Sequence, residues 1–484
     1  MAGSRPSQRA NEIADPPKDP HAHSHVIILA TRHSRSTVQD VNMVTAALHA
    51  VHRAVSACTP TLVYQDTPSN AKLLQQCPVL GDVYHPTWYL FNGHLQTINV
   101  GRGGRAPPMS YKRQMVTMAD GGQVSLDWAL PSSAMSTKDT TTTTAANDPD
   151  EQRDHPTVLM LHGLTGDSQN NYIRSAAQKL IRRGWRVVVL NARGCGNTPV
   201  TSPHFLSAAH TEDVRAVVAM LRRDHVPHAP LIGVGFSLGS NILVKYVGEE
   251  GARCRLTAAV SIGNVFDLVN NTRHMNSPFY YYFYNLTISK TMLRLFFDKS
   301  NAHEQFVDHP NVDLEHLRAA KTAYEFDDRL TCKAHGYPSV EAYYQDASSA
   351  HYIPHVRIPL LCLSSLDDPV CTRTSIPFAA CAANKHVILV TTARGGHLGF
   401  YTGNSLADAP EMWSSTVVEQ FCGAAAGPHA SLTVVVVPNN PKPSTGPIRP
   451  YDVALYAAII LVLAQALYAL VAVVPWAPRA IFRV

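Results

Sequence analysis

The fold of this 484-residue chain is restricted most by an alternation of short apolar runs and amphipathic segments that begins near residue 157. Runs that are apolar on both faces are typical of a parallel sheet covered by helices on each side. The predicted strands are Val158–Leu161, Arg186–Leu190, Leu231–Val234, Ala258–Ile262, Pro359–Leu363 and Val387–Val390. Apolar residues at helical spacing predict helices over Asn171–Arg183, Thr211–Arg223, Leu238–Glu249 and Glu411–Cys422. This alternation predicts a doubly wound α/β fold.

The chain before this alternation has two parts with different composition. Residues 1–35 are polar and are predicted to be disordered. Residues 36–84 are predicted to form a helical N-terminal extension, because apolar residues recur at helical spacing over 36–57. The main domain is predicted to span residues 85–425.

A β-hairpin and two insertions are predicted within the main domain. The runs Tyr111–Met118 and Gln123–Leu130 flank a turn of aspartate and two glycines, which is typical of a hairpin. Residues 131–156 contain five consecutive threonines and form a predicted solvated insertion. Over 264–358 the alternation is lost, and we expect a cap over the carboxyl ends of the strands. The aromatic run Phe279–Tyr284 in this cap can line an acyl pocket or pack the cap, and the two are compatible.

The C-terminal end is the most apolar part of the chain. A Pro-rich linker over 426–450 leads to 453–474, where Gln465 is the single polar residue among 22. A helix of that length spans about 33 Å, against about 30 Å for the hydrocarbon core of a bilayer. We expect a single-pass C-terminal anchor rather than a buried core helix. Two cations lie on each side of the span, so charge bias does not set its orientation.

Composition limits the compartment and the partners. The polar N-terminus lacks the apolar core of a secretory signal. The nine cysteines are odd in number and form no CxxC pair, which favours reduced thiols and a cytosolic catalytic domain. The formal net charge of +5 is too weak and scattered to indicate a nucleic-acid partner.

A nucleophilic serine is predicted at the junction of a strand and a helix. The sequence Gly235-Phe236-Ser237-Leu238-Gly239 follows one predicted strand and opens a predicted helix, which is the context of a nucleophile elbow. The alternative is a plain structural turn. Serine needs a base to take its proton, so a histidine must lie near Ser237.

In this kind of fold the acid and the histidine follow the serine in that chain order. We therefore expect the acid and the base after the last two predicted strands. His397 lies in a glycine-rich loop, Gly395–Gly399, after the last strand, whereas His351, His355 and His386 precede strands. Asp367 and Asp368 both follow the strand Pro359–Leu363. We expect Asp367 to orient the histidine. Asp368, beside Pro369, is the alternative and is expected to cap the next turn.

The oxyanion formed on ester attack needs two backbone N–H donors. Leu238, which follows the nucleophile, and Leu164, in the loop His162–Gly166, are the predicted donors. His162 is predicted to hold that loop rather than to act in catalysis. This chemistry requires no metal and no organic cofactor.

These residues resemble those of the YheT-type α/β hydrolases, a family that includes fungal medium-chain fatty-acid ethyl ester synthase/esterases and membrane-bound abhydrolase-domain lipases. The shared motifs cover residues 85–425 and are His85–Thr97 with its Asn-Gly-His-Leu-Gln-Thr core, His162–Gly166, Asn191–Cys195, Gly235–Asn241, Phe326-Asp327, Tyr343-Tyr344, Asp367-Asp368-Pro369 and Gly395–Phe400. The resemblance implies an α/β-hydrolase fold and a triad of Ser237, Asp367 and His397. It also implies fatty-acyl esters such as acylglycerols as substrates.

Two features depart from the family pattern. The membrane segments of animal members are N-terminal, whereas the apolar segment here is C-terminal, so membrane orientation does not carry over. The threonine-rich insertion is also unusual. The expected protein is a membrane-anchored serine esterase or lipase. An acyltransferase or ester synthase using the same triad, and a non-catalytic membrane-binding protein on this fold, are the alternatives.

Overall fold

A mostly parallel sheet forms the centre of the protein. The computed structural model of the chain describes residues 57–102, 106–131, 154–403 and 410–427. The strands are β1 (Thr61–Val63), β2 (Lys112–Thr117), β3 (Gln123–Ala129), β4 (Thr157–Leu161), β5 (Arg186–Asn191), β6 (Leu231–Phe236), β7 (Ala258–Ile262), β8 (Leu360–Ser365), β9 (Val387–Thr392), β10 (Tyr401–Thr402) and β11 (Glu411–Met412). Nine described strands form the main sheet in the order β1-β9-β8-β7-β6-β4-β5-β3-β2. Strands β4 to β9 run parallel, so their carboxyl ends share one edge.

Helices cover both faces of the sheet and form a cap. They are α1 (Pro68–Gln75), α2 (Gly93–Gly101), α3 (Asn171–Arg182), α4 (Glu212–Met220), α5 (Leu238–Glu250), α6 (Leu268–Met275), α7 (Pro278–Tyr280), α8 (Leu286–Arg294), α9 (Leu314–Arg318), α10 (Ala323–Phe326), α11 (Cys332–His335), α12 (Val340–Ala347), α13 (Phe378–Ala383) and α14 (Trp413–Ala426). Along β4, Val158 and Met160 pack with residues of α3 and α14, whereas Leu159 and Leu161 pack with residues of α4 and α5. Both faces of the strand are therefore apolar.

The predicted α/β architecture is confirmed. All six predicted strands are present, with ends within two residues of the prediction. The hairpin is present as β2 and β3, and β3 joins the sheet by antiparallel pairing with β5. The helix predicted over Thr211–Arg223 ends earlier, at Met220, and continues as a π-helical turn over Leu221–His225.

The N-terminal extension contributes to the sheet where it is described. Its described part contains helix α1 and, before it, strand β1, which pairs antiparallel with β9 and closes one edge of the sheet. Hydrophobic spacing did not reveal this three-residue strand, because an edge strand so short carries no periodic signal.

The region 264–358 contains helices α6 to α12 joined by 3₁₀ and π-helical turns. Its interior is aromatic, with Phe296, Phe306 and Phe326 almost completely buried. This second apolar core makes the cap a packed layer above the carboxyl edge of the sheet.

Several predicted segments lie outside the described residues: most of 1–57, most of the insertion 131–156, the linker beyond residue 427 and the membrane helix 453–474. In the stretches that the structure does describe, no helix is both long enough and apolar enough to cross a membrane.

Candidate active site

Ser237 occupies a strained turn between β6 and α5. Its backbone has φ 53° and ψ −120°, a conformation that few residues other than glycine adopt. A Cβ on Gly235 would collide with the backbone of Ser240, and one on Gly239 with the carbonyls of Leu161 and His162. The two glycines therefore permit the turn, which presents the serine hydroxyl at the carboxyl edge of the sheet.

A histidine and an aspartate complete a hydrogen-bonded chain with this serine. His397 Nε2 lies 2.8 Å from Ser237 Oγ, and His397 Nδ1 lies 2.9 Å from Asp368 Oδ2. The Asp368 side chain is 2% exposed and that of His397 is 13% exposed. A buried carboxylate at Nδ1 holds the imidazole in the tautomer that accepts a proton at Nε2. The arrangement can deprotonate a serine.

The carboxylate that contacts the histidine is Asp368 rather than the predicted Asp367. Asp367 Oδ1 instead accepts from Ser365 Oγ at 2.6 Å and from Gly396 N at 2.9 Å. The strand before them extends to Ser365, two residues beyond its predicted end, so counting from the predicted end selected the wrong neighbour. Adjacent side chains in this turn point in different directions, and only the path of the loop decides which one faces His397.

Asp368 is fixed by its own turn. Its Oδ1 accepts from the backbone N–H of Val370 at 2.7 Å and of Cys371 at 2.8 Å. The capping role predicted for Asp368 is therefore present on one oxygen, while the other oxygen bonds the histidine.

The same residues are the best candidates for a metal in the described part of the chain. Donor atoms of Asp368, Cys371 and His397 lie within 4.8 Å of one another. Both ring nitrogens of His397 are already hydrogen-bonded, to Asp368 and Ser237. The cluster thus fits proton transfer better than metal binding, since a metal would displace one of those bonds.

The rival histidines lie away from the serine. His351 and His355 belong to the 3₁₀ turn Ser349–His355 before β8, and His386 directly precedes β9. His355 and His386 are near the amino ends of parallel strands, opposite the edge that carries Ser237, whereas His351 is exposed and its Nδ1 lies 3.1 Å from Gln345 O.

Helix α2, which carries the Asn-Gly-His-Leu-Gln-Thr motif, supports the histidine loop. Thr97 Oγ1 accepts from His397 N at 2.8 Å and donates to Gly93 O at 2.6 Å. Gln96 Oε1 accepts from Tyr401 N at 3.0 Å. A Cβ on Gly93 would collide with the backbone carbonyl of Asp367. Sequence reasoning named this motif only as a family mark and missed that its side chains position the acid and histidine loops.

The loop after β4 stands beside the elbow. Leu164 and Leu238, the two predicted oxyanion donors, both line the cavity that contains Ser237. The N–H of Leu238 is in the first turn of α5, where backbone donors have no partner within the helix. A pair of N–H groups here can stabilise an oxyanion on an ester bound to the serine.

His162 holds this loop, as predicted. Its Nε2 accepts from Ala192 N at 3.1 Å, and its Nδ1 lies 2.7 Å from Gly163 O. This pairing requires a neutral ring with its proton on Nδ1. Burial lowers the pKa of His162, which keeps the ring neutral.

An apolar cavity of about 140 Å³ opens beside the serine. The segment between β5 and α4 contributes Leu206 to its wall, and the cap region contributes Val265, Met275, Ile288 and Met292. Such a lining suits a hydrocarbon chain.

One buried acid interrupts this lining. Asp327 accepts hydrogen bonds from Thr331 Oγ1 at 2.7 Å and from Tyr344 Oη at 2.9 Å. Burial raises its pKa to about 6. This aspartate, part of a motif that resembles the family pattern, places a titratable group in the cavity wall.

The aromatic run Phe279–Tyr284 contributes no side chain to the lining of this cavity. Tyr284 Oη lies 2.6 Å from His94 Nδ1, and the ring of Tyr280 stacks 3.8 Å from that of His274. These two tyrosines pack the cap, whereas Phe279, Tyr282 and Phe283 are exposed. The predicted pocket role is therefore not seen for the run, and the packing role holds for part of it.

Comparison with known proteins places this geometry in a family. The model of the alpha/beta hydrolase fold family matches residues 156–404. Human Phospholipase ABHD3 is 32% identical over 345 residues, covering 71% of this chain and 80% of that protein. Monoacylglycerol lipase of Saccharomyces cerevisiae is 31% identical over 355 residues, covering 68% and 79%. Monoacylglycerol lipase ABHD2 of Danio rerio is 30% identical over 408 residues, covering 79% and 90%.

Proposed function

We propose that this chain, which belongs to the α/β-hydrolase family, is a serine hydrolase that cleaves fatty-acyl esters of lipids with Ser237, His397 and Asp368. It is a carboxylic ester hydrolase, in keeping with relatives named monoacylglycerol lipase and phospholipase. The observation that carries the proposal is the continuous hydrogen-bonded chain from Asp368 through His397 to Ser237, beside an apolar cavity.

The reaction begins with proton transfer. His397 Nε2, 2.8 Å from Ser237 Oγ, takes the hydroxyl proton as the oxygen attacks the ester carbonyl. Asp368 stabilises the imidazolium that forms. The developing oxyanion accepts hydrogen bonds from the N–H groups of Leu164 and Leu238. His397 then protonates the leaving alcohol, and water activated by the same histidine hydrolyses the acyl-enzyme.

The substrate class follows from the cavity and the relatives. The apolar wall built from the core and the cap accepts an acyl chain and excludes water from the reacting carbonyl. An acylglycerol or a glycerophospholipid presents such a chain on an ester. The apolar lining suits the acyl part of such a substrate, so we expect the cavity to discriminate among acyl chains.

Membrane anchoring forms part of the same proposal and rests on the sequence of residues 453–474. A helix there would hold the catalytic domain, on the cytosolic side, beside the bilayer that contains the substrate. Removal of the residues after Pro450 is expected to move the protein from the membrane fraction to the soluble fraction at high salt. A full-length chain that high salt alone releases from membranes would contradict the anchor, whereas retention of the truncated chain would mean that the cap or the N-terminus also binds lipid.

The catalytic assignment is tested by labelling with a fluorophosphonate, which reacts with activated serine. We expect the full-length wild type to be labelled and Ser237→Ala not to be labelled. Ser240→Ala is the matched control, because Ser240 lies in the same helix turn and its hydroxyl donates to Ser237 O and not to His397. A folded wild type that resists the probe and hydrolyses no ester would refute the proposal.

A further inference from the structure

The outer face of the cap carries aromatic side chains that the catalytic mechanism does not use. Phe279 is 49% exposed, Tyr282 68% and Phe283 66%. The rings of Phe279 and Phe283 stack with centroids 4.6 Å apart. In the same cap, Phe296 and Phe306 are fully buried, so the cap has an apolar interior of its own. The cap therefore does not need the exposed rings to form its apolar core.

The exposed aromatic side chains lie next to helix α2. The Phe279 ring lies 5.5 Å from that of His94. Ile98, one turn further along α2, is 45% exposed. We name the exposed side chains of Phe279, Tyr282 and Phe283, together with that of Ile98 on the helix that contacts Phe279 through His94, the aromatic face. Contiguous exposed apolar surface of this kind marks a binding site for another apolar surface.

The segment that carries the aromatic face is basic. Between Asp267 and Asp298 the sequence contains no acidic residue, and its three cations are Arg273, Lys290 and Arg294. All three are exposed. Phe283, Lys290 and Arg294 are spaced by seven and four residues, so aromatic and basic groups follow one side of the α8 segment. Aromatic rings flanked by cations are the composition that binds the interface of a bilayer containing anionic lipid.

The opposite side of the same segment faces the cavity. Asn285, Ile288 and Met292 line the cavity that contains Ser237. One helical segment thus separates the aromatic face from the acyl-binding cavity. A bilayer that contacts the aromatic face would bring its lipid esters within one helix diameter of the cavity, about 10 Å.

We propose that the aromatic face docks this protein onto the interface of a bilayer containing anionic lipid, so that lipid esters enter the cavity without crossing water. The delivery of lipid esters to the cavity rests on the proposed lipid-ester function, whereas binding of the aromatic face to the bilayer does not. The rings insert among the headgroups, and the three cations pair with anionic lipids. The face acts together with the C-terminal segment, because docking orients a domain that an anchor alone would only tether.

Docking is tested without turnover by lipid quenching in the full-length chain. Phe283→Trp is mixed with vesicles of phosphatidylcholine and phosphatidylserine at a ratio of four to one, in which the phosphatidylcholine carries brominated acyl chains. The fluorescence that Phe283→Trp adds to the wild type is expected to fall to less than half. Val307→Trp is the matched control, since Val307 is 65% exposed in the same cap but lies outside the aromatic face; its added fluorescence is expected to be unchanged.

The consequence for catalysis is tested with two substrates. In the double variant Tyr282→Ser/Phe283→Ser, hydrolysis of a long-chain ester in those vesicles is expected to fall about tenfold, and hydrolysis of a soluble short-chain ester to stay within twofold. Lys290→Gln/Arg294→Gln is expected to lose vesicle activity about tenfold as well, through loss of attraction to anionic lipid. Lys333→Gln, an exposed cation of the cap outside the aromatic face, is the control.

The outcomes separate the docking proposal from the proposed function. Equal bromolipid quenching at positions 283 and 307, or equal vesicle activity of the double variant and the wild type, would overturn the docking. A wild-type dimer that dissociates in the double variant, without bromolipid quenching, would also overturn it and assign the face to self-association. If the wild type neither hydrolyses the soluble ester nor reacts with the fluorophosphonate, the proposed function is contradicted. The quenching result then still decides the docking proposal.

Discussion

The serine side and the histidine side of the active site are held in place by different means. Ser237 is fixed locally, by a strained turn whose two flanking glycines admit the neighbouring backbone. His397 is fixed from a distance, because its backbone N–H bonds Thr97, 300 residues away in the chain. The comparison teaches that a candidate nucleophile can be recognised from five residues, whereas the residues that contact it depend on contacts between distant segments.

The energetic cost of the two solutions also differs. A residue in a sparsely populated backbone conformation costs about 1–3 kcal/mol, which the surrounding packing must offset. The histidine loop instead uses ordinary hydrogen bonds, each worth about 1 kcal/mol, to helix α2. Loss of a single support should therefore loosen the histidine side without unfolding the sheet.

The largest expected effect distinguishes the two aspartates on the histidine side. Asp368→Asn is expected to lower kcat by about 10⁴-fold, because an amide no longer favours the tautomer that accepts the serine proton. Asp367→Asn is expected to lower kcat less than tenfold, since Asp367 contacts Ser365, Gly396 and Arg394 rather than His397. Steady-state hydrolysis of a soluble ester measures both. The reverse order would assign the triad acid to Asp367, and equal losses would contradict the distinction between the two aspartates.

A smaller effect is expected when helix α2 is pushed away from the acid loop. The Cβ of Gly93→Ala collides with the backbone carbonyl of Asp367, so the loop must shift. A displacement of about 1 Å in catalytic geometry costs about 100-fold in rate, and we expect a loss of that order in kcat. Gly101→Ala, at the other end of the same helix, meets nothing within 4 Å and is the control. A fully active, folded Gly93→Ala would show that α2 does not position the triad.

The smallest effect concerns the loop on the serine side. Burial lowers the pKa of His162 below its ordinary value, so below pH 6.5 the unfolded chain binds the proton more readily than the folded one. Stability from this group is present above pH 6.5 and is lost as pH falls towards the folded pKa. We expect Tm to fall further between pH 7 and pH 5 in the wild type than in His162→Gln. Thermal unfolding of both at the two pH values measures the difference, and parallel changes would refute it.

Much of the fold was predictable because the signals are local. The six central strands are apolar on both faces and short, and the helices between them repeat their apolar residues at helical spacing. The edge strand β1 and the π-helical turn Leu221–His225 were missed. Three residues at a sheet edge carry no period, and a π-helical turn differs from an α-helix only in backbone hydrogen bonding.

The cap also has features that the sequence predicted and features that it did not. Its position between β7 and β8 is marked by the loss of alternation over 264–358. Which aromatic residues would be inside was not predictable, because Phe279–Tyr284 has the same composition on both sides of the helix. The structure buries Phe296, Phe306 and Phe326 and leaves Tyr282 and Phe283 exposed. The spatial arrangement of the cap helices selects among chemically equivalent rings.

The sequence by itself determined the six central strands, the elbow and the candidate residues Ser237 and His397, because glycines, strand patterns and chain order can be read directly from the chain. Only the tertiary structure decided that Asp368, not Asp367, meets the histidine, that α2 supports its loop, and that half of the aromatic run lies outside. Each of these findings depends on the direction in which a side chain points from a loop or a helix. That direction is set by contacts between residues far apart in the chain, about which local pattern carries no information.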